Sequence, residues 1–476
     1  MMNRRDLLKL SAALGAGQFF NVNASTSAST FNSAPGVMDS VHHTAKAKRV
    51  IYLYMAGGPS QFETFDHKPE MKKWHGQDLP PSILGDQRLT GMSANQSSLP
   101  VAASPFGFKR CGESGMEISD LLPHTQKIAD DIALVKTVYS EAINHGPANT
   151  FMQTGSQLAG RPSIGAWLNY ALGTDNINLP PFVVMRTKNK KGQKLFSRLW
   201  GNGFLPAEYQ GVLFRPDNEP VAFLNNPGGI ADSARRRVLD HMKRLEEFNK
   251  QGIYDPQIDS RLHQYDMAYR MQHSIPEAII PDVADLRSES EATFNLYGED
   301  SKIPGTFANN CLQARRLVER GVKFVQLYHQ GWDSHGGTPS NAQKQCKETD
   351  QGAAGLIQDL KQRGLLDDTL VIWGGEFGRT AYSQGKITEK SYGRDHHPRC
   401  FPMWMAGGGI KGGVTLGETD DFSYNIASDD KMHIHDFHAT ILHLLGINHE
   451  RLTYKFQGRR FRLTDVHGHV MKKILT

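Results

Sequence analysis

At 476 residues, the chain is long enough to bury a sizeable core, and it carries 22% charged residues with a formal net charge of only +5. No basic run exceeds Arg235-Arg236-Arg237, so the sequence has no electrostatic footprint for nucleic acid. Four scattered cysteines, Cys111, Cys311, Cys346 and Cys400, form no Cys-x-x-Cys pair; this excludes zinc ribbons and dense disulfide scaffolds and leaves room for one or two disulfides.

The chain opens with Asn3-Arg4-Arg5-Asp6-Leu7-Leu8-Lys9, followed by an apolar small-residue stretch, Leu10 to Phe20, and a Ser/Ala/Thr-rich tail. That order reads as a twin-arginine export signal, with residues 1–45 as signal and linker and 46–476 as the working domain. The expected partner is the twin-arginine translocation machinery, and the expected location is the periplasm or the exterior. That route carries folded proteins, often with a cofactor inserted, which favours a metalloprotein. No later run approaches the length of a membrane span, so none is expected in the mature protein.

Arg49 to Met55 reads as a buried strand running into Ala56-Gly57-Gly58-Pro59-Ser60. Ile132 to Val138 is a second strand, followed by Asn144-His145-Gly146-Pro147 and a small-residue helix ending at Gly155. Residues 180–304 differ in texture: loops rich in Asn, Gly and Pro, then a charged helix with Val238, Leu239, Met242, Leu245 and Phe248 on one face. They read as an insertion that shapes or caps a site. Cys311 to Arg320 is a helix closed by Gly321, Val322 to Tyr328 a strand, Ala353 to Arg363 a helix closed by Gly364, and Thr369 to Trp373 another strand. This alternation predicts an α/β fold with a mostly parallel central sheet flanked by helices.

Metal-ligand residue types follow those strands: Asp333 and His335, then Glu376, then Asp395-His396-His397. Exits of neighbouring parallel strands share one edge of a sheet, so these carboxylates and imidazoles are candidates for a divalent-metal site, zinc first, with manganese or calcium as alternatives. Each also has a plain structural use, as a turn cap, a partner of a nearby arginine or a surface histidine.

The strings Gly57-Gly58-Pro59-Ser60, His145-Gly146, Gly331-Trp332-Asp333-Ser334-His335-Gly336, Gly375-Glu376-Phe377-Gly378-Arg379-Thr380, Gly393-Arg394-Asp395-His396-His397-Pro398 and Gln457-Gly458 together resemble the bacterial family called domain of unknown function 1501, and through it the alkaline phosphatase and sulfatase superfamily. The resemblance implies a three-layer fold of that type and an anionic ester as substrate. It matches Asp333, His335 and His396 to metal-binding positions, and sets Glu376-Phe377-Gly378 where relatives carry Asp-His-Gly. Asp436 to Leu442, ending at Gly446-Ile447, resembles the helix that closes the sulfatase fold. Two departures stand out. The first strand ends without the superfamily's aspartate ligand, Ser60 and Asp66 being the nearby substitutes. No hydroxyl nucleophile stands in Asn144-His145-Gly146.

On this reading the chain is an exported metal-dependent hydrolase of phosphate or sulfate esters. His145 could serve as metal ligand, base or covalent nucleophile, and Arg379 and Arg394 could contact the ester or pair with Glu376 and Asp395. Two rival classes are a catalytically silent metal-binding relative and an extracytoplasmic carbohydrate-binding or assembly protein using Phe204, Tyr209, Phe214 and Phe223 as stacking platforms.

Overall fold

A computed structural model describes residues 36–215, 230–249, 256–273, 286–388 and 391–476, together with Ala34 and Val221. The expected export signal and Phe223 lie outside the described residues. The central sheet is built from β1 (Arg49–Ala56), β2 (Ile132–Tyr139), β3 (Phe182–Arg186), β4 (Val212–Phe214), β5 (Phe324–Gln330), β6 (Thr369–Gly374), β9 (Phe401–Ala406), β10 (Val414–Leu416) and β11 (Met432–His433). Between β6 and β9 the chain makes a separate two-stranded ribbon, β7 (Gly378–Ser383) and β8 (Arg394–His397). Across the sheet the order is β10, β2, β9, β6, β1, β5, β3, β4, with β11 also pairing to β2.

Every pairing in the sheet is parallel except those of β9, which runs against both of its neighbours, β6 and β2. Such a sheet needs cover on both faces, and side-chain alternation supplies two cores. In β1, Ile51, Leu53 and Met55 join one core while Val50, Tyr52, Tyr54 and Ala56 join the other. The first core is closed by α5 (Phe307–Glu319) and α6 (Thr338–Gln362). The second is closed by α1 (His145–Thr154), α2 (Ile164–Leu172) and α7 (Ile434–Leu444). The result is a helix, sheet, helix sandwich of α/β type.

Residues 180–304 are not wholly an insertion, because β3 and β4 extend the sheet at its edge. Beyond them, α3 (Asp232–Asn249) and α4 (Pro256–His273) pack together. Of the apolar stripe expected on α3, Leu239 is buried, whereas Val238 and Leu245 are exposed. Phe204 lies among Trp167, Tyr454, Phe456 and Phe461, Tyr209 packs on Tyr170, and Phe214 is buried in β4. Those rings anchor loops to the core. All four cysteines are buried and free. No helix among the described residues is long and apolar enough to cross a membrane.

Candidate metal centre

Five adjacent strands, β2, β9, β6, β1 and β5, deliver the site. Four of them end at one edge of the sheet. The reversed strand β9 begins there, so the segment that precedes it arrives at the same place. β2 leads to His145 at the start of α1, β5 leads to Asp333 and His335, and β6 leads to Glu376. The β7–β8 ribbon brings Arg379 opposite His396. Its pairing breaks register at Asp395, a bulge that turns successive side chains of β8 toward different surroundings.

One ligand atom each from His145, Asp333, His335 and His396 lies within 4.8 Å of the other three. Asp333 Oδ1 is the hub, 2.9 Å from His335 Nε2, 3.2 Å from His145 Nε2 and 3.7 Å from His396 Nε2. The second nitrogen of every ring is fixed by an acceptor: His145 Nδ1 by Glu376 Oε1 at 2.6 Å, His396 Nδ1 by the Ile143 carbonyl at 2.9 Å, and His335 Nδ1 by Gln384 Oε1. Each acceptor places the ring proton on Nδ1 and turns the Nε2 lone pair inward. His335 Nε2 and His396 Nε2 are 3.1 Å apart, and the buried Nε2 of His145 makes no hydrogen bond. Three imidazole lone pairs and a carboxylate oxygen facing one point need a cation or an extra proton between them. The donor set therefore fits a divalent metal ion.

Arg379 supplies part of that positive charge. Its Nη2 donates to Asp333 Oδ1 at 2.8 Å and to the Gly57 carbonyl, Nε donates to the Gly58 carbonyl at 2.9 Å, and Nη1 to the Arg394 carbonyl at 3.2 Å. Burial of Asp333 works against its charge, but His145, His335, His396 and Arg379 together hold its carboxyl far below the usual carboxylate range. Burial pulls the pKa of His145 down, yet the carboxylates of Asp333 and Glu376 carry it above 6.5. His396 moves the other way, since burial and the nearby Arg379 charge outweigh Asp333.

The remaining sequence candidates lie around this cluster. Glu376, expected as a ligand, is fully buried behind His145; its carboxylate takes the Gly57 N–H at 2.9 and 3.1 Å and orients the ring. Asp395 accepts from the Thr90 and Ser93 hydroxyls, and His397 stacks on Tyr424 while its Nε2 bonds the Tyr424 carbonyl. Both stand outside the four-residue group because alternation on β8 turns them away from Asp333. Asp66 meets Thr419, Ser423, Lys68 and Lys136, and the Ser60 hydroxyl is buried without a hydrogen-bond partner. Arg394 is fully buried against Glu63 at 2.9 Å, with the Phe62 and Tyr392 rings over its guanidinium, so it cannot reach a substrate.

Sequence reasoning missed the supporting layer. Gln193 donates to Asp333 Oδ2 at 2.8 Å, Gln384 fixes His335, and Tyr54 holds Asn149, whose amide lies 3.5 Å from Glu376. Tyr54 sits on a strand already read as buried, but lone glutamines in loops carry no signal of their own.

The family described as "Protein of unknown function (DUF1501)" matches residues 47–475. The chain belongs to the DUF1501 family. The family's span contains every residue of the cluster and of its supports. No curated protein matches the sequence. Among solved structures, the PsFucS1 sulfatase from Pseudoalteromonas sp. aligns at 14% identity over 85% of this chain and 68% of that chain, with a TM-score of 0.33. The alkaline phosphatase from the Antarctic bacterium TAB5 aligns at 13% identity over 85% and 99%, TM-score 0.33. A protein of the alkaline phosphatase superfamily from Vibrio parahaemolyticus aligns at 12% identity over 94% and 76%, TM-score 0.34. Likeness at this level transfers no residue role to this DUF1501 chain.

Proposed function

We propose that this protein is an exported hydrolase of phosphate or sulfate esters that works outside the cytoplasm with a divalent ion held by His145, Asp333, His335 and His396. The observation that carries the reading is the convergence of three inward imidazole lone pairs on one carboxylate oxygen, each ring locked from behind. Three nitrogens and one oxygen favour zinc over calcium, which takes oxygen ligands. When bound, such an ion polarises an ester oxygen and lowers the pKa of a bound water. The protein's own groups prepare for that. Glu376 fixes the tautomer of His145, Arg379 keeps Asp333 ionised and in place, and the bulge at Asp395 aims His396 inward. With Nδ1 bound to Glu376 and Nε2 in the cluster, His145 is committed to holding the ion.

A catalytically silent cation-binding protein is the second reading, supported by the lack of a hydroxyl in Asn144-His145-Gly146. Metal analysis of the purified protein, followed by assays on aryl phosphates and aryl sulfates with His145→Ala and Asp333→Ala as controls, separates the two. Turnover that requires both residues supports the hydrolase. Metal without turnover supports the silent relative, and protein without metal refutes both.

A further inference from the structure

A cleft of about 550 Å³ opens beside the cluster, and His396 forms part of its wall. Three cationic residues, Arg88, Arg399 and Lys431, line the same cleft from three separate loops, and all three are exposed. None makes an ion pair among the described residues. Exposed cations without an ion pair, such as Lys127, Lys411 and Lys455, also occur elsewhere among the described residues; what sets Arg88, Arg399 and Lys431 apart is that they line one cleft. The acidic residue in the cleft, Glu141, is engaged by His433 at 3.1 Å. Three like charges lining one cleft repel one another, and among the lining residues only the Glu141 carboxylate carries the opposite charge. A concave surface carrying three cationic side chains next to a reacting centre suits an anion.

We propose that this cleft is a second anion subsite and that the substrate is a multiply charged ester. Its reacting group sits at the four-residue cluster, while another sulfate or phosphate group of the same molecule docks against Arg88, Arg399 and Lys431. The inference rests on the cluster being the reacting centre, and it deepens that reading by naming the substrate class. A simple monoester fills only the inner position, whereas a molecule bearing several anionic groups uses both.

The test reads binding alone, on full-length protein stripped of metal by chelation. Sucrose octasulfate and inositol hexakisphosphate serve as sulfate and phosphate probes, titrated by calorimetry at moderate salt. The triple variant R88Q/R399Q/K431Q is compared with K127Q/K411Q/K455Q, which removes the same charge from exposed positions elsewhere. The expected result is that at least one probe binds, that the cleft variant weakens it about ten-fold or more, and that the control changes it less than about two-fold. The tighter probe then assigns the anion. The proposal is overturned if neither probe binds at millimolar concentration, or if the control variant weakens binding as much as the cleft variant. Both variants replace exposed side chains, and matching melting curves confirm that the comparison is between folded proteins. Since no ion and no turnover are needed, failure of the hydrolase reading shows up in the ester assays and not in these affinities.

Discussion

His396 and His397 are neighbours in sequence, yet the structure assigns them opposite fates, and exchanging each for alanine gives a sharp test of the centre. His396 Nε2 belongs to the four-donor group, whereas His397 Nε2 is bound to the Tyr424 carbonyl at 2.9 Å. Zinc held by a protein-built four-donor site is worth about 10 to 16 kcal/mol, or about 2.5 to 4 kcal/mol per ligand when shared evenly. At 1.4 kcal/mol per decade, His396→Ala should weaken zinc by about 10² to 10³ fold. His397→Ala removes no ligand and should change zinc affinity by less than about three-fold, even though loss of the Tyr424 contacts lowers the melting temperature. Competition against a chromophoric chelator at neutral pH, backed by elemental analysis, measures both. Equal losses from the two substitutions, or full affinity in His396→Ala, would refute the assignment of ligands.

Glu376→Gln should keep the ion bound but weaken it by about 10 to 100 fold, the usual effect of losing a carboxylate that orients a ligating imidazole; the same chelator competition reads it, and an unchanged affinity counts against the role given to Glu376. Zinc affinity should fall steeply as pH drops through and somewhat above 6.5, because the raised pKa of His145 means that the ion must displace a proton there; titrations at pH 5.5, 6.5 and 7.5 check this, and a flat profile contradicts it. Arg394→Ala strands the Glu63 carboxylate in a fully buried place and should destabilise the fold by about 3 to 5 kcal/mol in urea melts, whereas a surface-like loss below about 1 kcal/mol would be inconsistent with the pair. Burial holds His329 and His438 down to about 3 and His397 to about 4, so the unfolded chain binds protons at these rings before the folded one does. Their contribution is therefore intact above about pH 6.5 and is lost on acidification toward those values, by up to about 1.4 kcal/mol per pH unit for each ring; melting temperatures of metal-free protein between pH 7.5 and 4.5 should show the decline.

The strands were legible because their apolar runs are continuous. Arg49 to Met55, Ile132 to Val138 and Thr369 to Trp373 each appear within a residue of the observed ends. Helix α6 was half seen: residues from Ala353 carry an apolar stripe, but the first half buries Ala342, Gln345, Cys346, Thr349 and Asp350, a small and polar face that hydrophobic periodicity passes over. The segments of β3 and β4 read as part of an insertion because the loops around them dominate the local composition. For the centre, placing residues after strands singled out Asp333, His335 and His396, and the helix start singled out His145. Spacing could not separate them from Glu376, Asp395 and His397, since that depends on the direction in which each side chain leaves a bulged ribbon. The glutamine and carbonyl groups behind the rings have no pattern that a sequence could display.

Gly57 has φ +118°, and a Cβ there would sit 2.4 Å from the Asp333 amide nitrogen. The first strand thus reaches the centre with bare backbone, and its carbonyls grip a guanidinium where phosphatase-like enzymes are expected to supply a ligand. Part of the positive charge of this pocket is therefore covalently part of the chain. Stripping with a chelator should empty the imidazole pocket yet leave the Arg379 guanidinium in place against Asp333, a fixed cation that no dialysis can wash out.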